Sequence, residues 1–354
     1  MKPFVIKSLI GLPLLVSTTV SVAETPTSLS PVVVTATRTA QSVDETLASV
    51  TVITREEIER KQATSVPDLL RGIAGVSFAI NGGPGQNSSL FLRGAESDQV
   101  TVLIDGVKIG SATVGLAPFQ NLPVETIERI EIVRGPQSSL YGSEAIGGVI
   151  QIFTRRGGGE ITPFFSVGGG ADDTWTATAG VSGGGDNGWF NVTATTLDTD
   201  AFNACDGSFT AGCFTIEPDE DGYDNTSIQA RGGYRFSNQL EAELFALRSR
   251  GDHEFDGVFS NESSYMSRLL GGKVIFSPSE WWQLTLNGGR SWDNSVNFKD
   301  GIRSSHFKTR RDSVSLQNDL TLTDSGLLTV GADYQNDEIN SSNAYTEDTR
   351  DNTG

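Results

Sequence analysis

The chain has 354 residues and a formal charge of −18, long enough for two domains or more. Such acidity argues against a nucleic-acid partner and suits an extracellular surface or cation binding.

Lys2 and Lys7 precede an apolar run from Leu9 to Val22, and Ser21-Val22-Ala23 has the small-x-small form of a signal peptidase site. A secretory signal over residues 1–23 is expected; a membrane anchor is the alternative, opposed by the short run and the lack of basic residues after it. Cleavage removes two lysines and no acid, moving the charge from −18 to −20. Cys205 and Cys213, the only cysteines, stand in a polar Gly/Asp stretch of an exported chain, so a disulfide is expected. Their spacing excludes a redox CxxC. No later segment reaches about 18 consecutive apolar residues, so no transmembrane helix is predicted, and a membrane β-barrel stays open.

Residues 24–50 read as a polar, extended start with one island, Pro31-Val32-Val33-Val34-Thr35-Ala36. It is either the first strand of the next domain or a strand that adds to another protein's sheet edge. Residues 51–156 read as a compact α+β domain. Thr54 and Glu57 have capping-box spacing, and Ser65-Val66-Pro67 opens a second short helix. Strands are predicted at 89–93, 100–104, 127–134 and 149–154, with glycine-rich loops at 81–88 and 108–115.

From about residue 160 the period becomes two. Leu240, Ala242, Leu244 and Ala246 alternate with Glu241, Glu243 and Phe245; Trp282, Leu284 and Leu286 alternate with Gln283, Thr285 and Asn287. Nine strands are predicted, at 162–169, 174–182, 188–197, 225–236, 239–249, 265–276, 282–293, 311–321 and 327–337. Short links at 183–187, 237–238, 277–281 and 322–326 alternate with long ones at 198–224, 250–264 and 294–310. That asymmetry suits an outer-membrane barrel better than a soluble sandwich. Trp189, Trp281, Trp282 and Trp292 fall near predicted strand ends, as an aromatic girdle would.

These features together resemble a TonB-dependent outer-membrane receptor. Pro31 to Arg38 looks like a TonB box (31–37) with its following residue. Leu92-Arg93-Gly94 and Val102-Leu103-Ile104-Asp105-Gly106-Val107 match plug strands, and Ile127 to Arg155 matches the long plug motif through Arg134-Gly135-Pro136, Tyr141-Gly142 and Ala145 to Ile150. The implied fold is an α+β plug at 51–156 followed, from 160 to 354, by the first part of an antiparallel transmembrane barrel. Receptors of this kind have about 22 strands, so nine imply a fragment or a truncated gene. Arg134 and Glu144 are expected to pair at the plug–barrel interface.

Within the family the resemblance is strongest to the cobalamin (vitamin B12) branch, through Asn81-Gly82-Gly83-Pro84-Gly85-Gln86-Asn87-Ser88-Ser89. It implies cargo contacts at Asn81, Gln86, Ser88, Lys108 and Ser111. It also implies TonB as energy-coupling partner, lipid or lipopolysaccharide around the barrel, and a monomer. Asp198-Thr199-Asp200 and Asp219-Glu220-Asp221-Gly222 place oxygen ligands at i and i+2, which suits Ca²⁺ or else a solvated acidic loop. The resemblance adds Asp256 and makes Asp200, Asp219, Asp221 and Asp256 the expected calcium ligands.

Enzyme motifs are missing. No lysine follows the glycines as a Walker loop requires, no G-x-G-x-x-G joins a strand to a helix, and the two histidines, His253 and His306, are far apart. Alternative readings are a siderophore or haem receptor, and an outer-membrane binding or structural module without energised transport.

Overall fold

The computed structural model describes residues 32–205, 207–208, 215, 217–323 and 326–354. The expected leader, Pro31 and Cys213 lie outside the described residues. In chain order, β1 (Val32–Val33) and β2 (Gln41–Ser42) form a small antiparallel ladder. Then come β3 (Ser49–Ile53), α1 (Arg55–Lys61), α2 (Val66–Leu70), β4 (Val76–Ile80) and β5 (Ser88–Leu92). β6 (Val100–Ile104), β7 (Val107–Lys108), β8 (Ile127–Arg134), α3 (Ser138–Tyr141) and β9 (Gly148–Thr154) follow.

Local chemistry accounts for the helices. The Thr54 side chain accepts from the Glu57 N–H while the Glu57 carboxylate accepts from the Thr54 N–H, the reciprocal cap predicted from spacing. Ser65 caps α2, with Pro67 in its first turn. Both helices bury Ile58, Leu69 and Leu70 in a core shared with Ile130, Ile132, Ile150 and Ile152 of the central sheet. That sheet has the order β3-β8-β9-β6-β7, with β6 and β9 parallel.

Two glycines are required by geometry. Asp105 and Gly106 take φ of 49° and 87°, as both central positions of a tight hairpin turn between β6 and β7 demand. A Cβ on Gly148 (φ 148°) would stand 2.2 Å from the Val133 carbonyl oxygen, so the entry to β9 admits no side chain.

The second part is one antiparallel sheet, each strand paired with its neighbour in sequence. Its strands are β10 (Thr162–Gly169), β11 (Trp175–Gly184), β12 (Gly188–Thr199), β13 (Tyr223–Ser237) and β14 (Leu240–Glu254). β15 (Glu262–Ser279), β16 (Trp282–Lys299), β17 (Ile302–Thr323), β18 (Gly326–Ser341) and β19 (Thr349–Thr353) complete it. Alternation holds: Phe245 is buried against the plug while Leu244 is exposed on the outer face. The sheet is open, with β10 and β19 at its edges.

Three expectations need correction. Among the described residues the sheet has ten strands, because the wholly polar stretch Thr349–Thr353 pairs with β18. The link expected at 294–310 is two residues, Asp300-Gly301, with φ of 52° and 74°. The link expected at 250–264 shrinks to 255–261. Beyond the stretch that packs on the plug and carries the outer apolar face no apolar alternation is needed, and polar strands continue on backbone hydrogen bonds. For the same reason Trp292 lies inside β16 instead of at its end.

The plug seats on this wall through apolar and ionic contacts. Val107 and Ile109 join Phe245, Leu247 and Leu269 in one core. A Cβ on Gly289 would come within 2.4 Å of Val107 Cγ2, so the glycine pair Gly271–Gly289 forms a notch for that valine. Arg231 of β13 donates to Asp105 at 2.9 Å and to Glu243 at 2.7 Å, joining the plug hairpin to the wall.

Candidate functional site

The segment expected to couple to an energy source is docked. Val33, Thr35 and Ala36 are buried, whereas Val32 is exposed. The fully buried Glu131 carboxylate accepts from the Val34 and Thr35 backbone N–H groups, both at 2.9 Å, and from the Thr35 hydroxyl at 2.6 Å. Arg129, at 2.9 Å, balances its charge. Tyr141 donates its hydroxyl to the Thr35 carbonyl at 2.9 Å, and burial raises that phenol above its ordinary range. Arg38 lies 4.6 Å from the Tyr141 ring centroid and pairs with Asp333 of β18 at 3.0 Å. These are the backbone donors that strand addition would need, already occupied.

At the opposite end the 81–87 turn meets the loop between β12 and β13. A Cβ on Gly85 would fall 2.2 Å from Tyr223 Cδ2, and Gly83 lies against Asp221. The Tyr223 hydroxyl donates to the Gln120 carbonyl at 3.0 Å. Gly82 to Gln86, Gln120, Phe202 and Tyr223 line part of a cavity of about 690 Å³ that also runs along α1 and α2 and the strands β10 to β12.

Of the five expected cargo contacts, only Asn81 is exposed. Gln86 donates to the Glu254 carbonyl at 3.2 Å, and Ser88 is buried beneath it. Lys108 pairs with Glu144 at 2.7 Å, and burial lowers its ammonium below the usual lysine range. Ser111 bonds within its own loop, to Thr113 at 2.8 Å. These four side chains brace the two plug loops.

The expected Arg134–Glu144 pair is absent. Arg134 donates to the Ala74 carbonyl and Thr51 hydroxyl, 2.7 and 2.8 Å away, whereas Glu144 pairs with Lys108 and Arg350. Burial raises Glu144, and the nearby Lys108, Arg311 and Arg350 outweigh it, leaving the carboxyl below its ordinary value. The two residues sit at either end of a turn that points them to different neighbours.

Cys205 is disulfide-bonded. In the same loop, Asp221 accepts from the Ala204 N–H at 2.7 Å and Asp256 from the Glu217 N–H at 3.1 Å. Burial, then Asp219 and Glu217, raises Asp221 above the ordinary range; burial, then Asp221, Glu217 and Asp219, does the same to Asp256. Asp256 Oδ2 is buried with no hydrogen-bond partner among the described residues, the kind of oxygen a hard cation satisfies. Glu217, missed in the sequence although it stands two positions before Asp219, is held by Lys299. Asp200 follows the last residue of β12, its N–H bonded to the Asp172 carbonyl. Among the described residues no three His, Cys, Asp or Glu side chains gather closely enough to hold a metal ion.

A pH dependence follows. Raised carboxyl values mean the folded loop binds protons more tightly than the unfolded chain, so its stability grows as pH falls toward the ordinary aspartate value and is lost as pH rises. Hydrogen exchange at 217–222 is expected to be slower near pH 5 than near pH 8 without divalent cations, after correction for intrinsic rates. Unchanged protection would refute the carboxylate coupling. The sequence also gave no warning of Phe202, Val258 and Phe259, large apolar residues exposed in polar loops; an isolated aromatic in such a loop was the available signal.

Residues 42–149 match the TonB-dependent Receptor Plug Domain family. The vitamin B12 transporter BtuB of Photobacterium profundum is 35% identical over 329 residues, 91% of this chain and 52% of the relative. The chain carries the plug domain of the TonB-dependent receptors. It spans about half the length of that transporter. BtuB of Vibrio cholerae serotype O1 is 53% identical over 124 residues, 35% of this chain and 20% of the relative. Among solved receptors, FpvA of P. aeruginosa bound to heterologous pyoverdines aligns with a TM-score of 0.72 at 16% identity, over 91% of this chain and 47% of that one. The copper transporter OprC aligns at 0.66 and 19% identity, over 82% and 46%. At such identities these two receptors share the fold alone with this chain.

Proposed function

We propose that the whole receptor imports a cobalamin across the outer membrane, energised by TonB acting on residues 31–36. The observation that carries the cargo is the 35% identity, sustained over 91% of the chain, to a vitamin B12 transporter. The siderophore and haem readings have only the shared fold behind them. In this reading residues 1–23 direct export, the plug blocks the lumen, and one receptor acts as a monomer. Cargo settles on Asn81 and the braced loops 81–87 and 109–116, with Phe202 and Phe259 reaching it from the wall. Its arrival loosens the docked segment, whose freed backbone donors pair with TonB. Ca²⁺ would draw Asp219, Asp221 and Asp256 together and order the loop, with Asp200 joining only if β12's end moves. It would supply charge neutralisation, the same effect that protonation gives at low pH.

Titration of the full-length receptor with cyanocobalamin, a ferric siderophore and haem, with and without Ca²⁺, tests this. Cyanocobalamin is expected to bind by far the tightest, more so with Ca²⁺, and Phe259→Ser to weaken it by about tenfold or more. Preference for a siderophore would overturn the cargo; indifference to Ca²⁺ would overturn the calcium role alone.

A further inference from the structure

The chain has three Asn-Gly steps: Asn81-Gly82, Asn187-Gly188 and Asn287-Gly288. Such a step is open to attack by the chain on itself, because no Cβ screens the glycine nitrogen from the preceding carboxamide. In a folded protein the attack also needs that nitrogen free and the local backbone able to bend. The fold treats the three steps differently.

Asn287-Gly288 lies inside β16, both residues paired to β15 on one side and to β17 on the other. The two ladders hold its backbone extended. Asn187-Gly188 opens β12; the Asn187 carbonyl accepts from the Arg235 N–H at 2.7 Å, and Gly188 pairs with Tyr234. Asn81-Gly82, just after β4, has neither restraint. Both residues are exposed, and among the described residues neither the Asn81 side chain nor the Gly82 N–H takes a hydrogen bond. Gly82 also has a φ of 140°, a conformation that residues with a Cβ rarely adopt. The turn is anchored on its other side, where Gly85 packs against Tyr223 and Gln86 donates to the Glu254 carbonyl. Asn81 and Gly82 can therefore reorient while the turn stays in place.

We propose that Asn81 is a self-modifying site, converted without an enzyme to aspartate and isoaspartate. The Gly82 nitrogen attacks Asn81 Cγ. A new C–N bond forms, the Cγ–Nδ2 bond breaks, and the Gly82 proton leaves with the amide nitrogen as ammonia. Solvent water then opens the cyclic imide at either carbonyl. Opening at Cγ gives aspartate; opening at the backbone carbonyl gives isoaspartate, with the chain rerouted through the side-chain carbons. Water is the only co-reactant, and nothing is oxidised or reduced.

Either product puts a carboxylate where the turn had a neutral amide, in a chain whose charge is already −18. Gly83 lies against Asp221, so the new charge arrives close to an acidic loop and is repelled by it. Isoaspartate also lengthens the backbone of the 81–87 turn. The turn therefore changes with the age of the molecule. The chemistry needs neither cargo nor membrane, so it stands apart from the import reading.

The test incubates the folded full-length receptor in mildly alkaline buffer and maps its peptides by mass spectrometry over time. The Asn81 peptide is expected to gain the mass difference between a hydroxyl and an amino group. It should separate into two forms, one of them labelled by an isoaspartate-specific methyltransferase. Its conversion should outrun that of Asn287 by about tenfold or more in the folded receptor, and by no more than about twofold in denaturant. Asn81→Gln keeps the amide but must close a larger, slower ring, so it should abolish the change there without altering thermal unfolding. Equal folded-state rates at Asn81 and Asn287, aspartate without isoaspartate, or an equal mass gain in Asn81→Gln would overturn the proposal. So would an Asn81 peptide that stays unchanged in the folded receptor while the denatured chain converts.

Discussion

Val33→Pro and Val34→Pro are each expected to abolish energised uptake while cargo affinity stays within roughly twofold. Proline removes one backbone donor and fixes φ, and strand addition depends on an unbroken run of donors. At Val34 the lost donor is one that Glu131 holds in the docked state, so this variant also loosens docking. At Val33 the effect falls on the ladder with Gln41. A variant that undocks without losing a donor separates the two effects. Glu131→Gln keeps the shape, removes the charge that gathers three donors, and should expose residues 32–36 without cargo. Reactivity of a cysteine placed at Val33 would rise in that background while uptake persisted. Normal uptake by both proline variants would sink the coupling-strand assignment.

Arg231→Met is expected to cost about 3 kcal/mol of plug docking, because it strands a buried carboxylate. Asp105, 2% exposed, keeps only its bonds to Thr154, at 3.0 and 2.5 Å, once the guanidinium is gone. Burial raises this carboxyl above its ordinary range even with Arg231 pulling the other way, so desolvation already weighs heavily there. Glu243 suffers less, having Arg156 at 3.8 Å as a second cation. Thermal unfolding and hydrogen exchange at 100–108 report the loss. Arg231→Met/Asp105→Asn should regain most of it, since the amide carries no charge to solvate. A single variant as stable as the parent would mean that water, rather than Arg231, compensates Asp105.

Legibility in the sequence followed the range of the forces involved. The cap of α1 and the Asp105-Gly106 match to a plug strand depend on neighbours within a few residues, and both could be read directly. Strand alternation was readable where lipid or plug imposes it, as at Leu244 and Phe245. It fades outside that stretch, so the alternation marks only parts of β16 and β17, and the Asp300-Gly301 turn, itself a strong hairpin signal, falls within an expected loop. Charge partners were the least readable. Glu144 finds Lys108 and Arg350, and Arg134 finds Thr51, each set by the fold and not by spacing. The cargo contacts suffered similarly: Gln86 and Lys108 occupy expected loops, but their side chains are spent on holding them.

The two-residue Asp300-Gly301 turn has a consequence for immune recognition. β16 and β17 run as one hairpin to that tip, where residues 300–304 are exposed. Such a two-residue tip between paired strands presents one fixed shape. An antibody raised against the tip therefore loses little ordering entropy on binding and gains affinity from the rigidity of its epitope. Under the proposed import function, with this tip facing outward, the turn would serve as a handle for labelling the receptor on an intact cell.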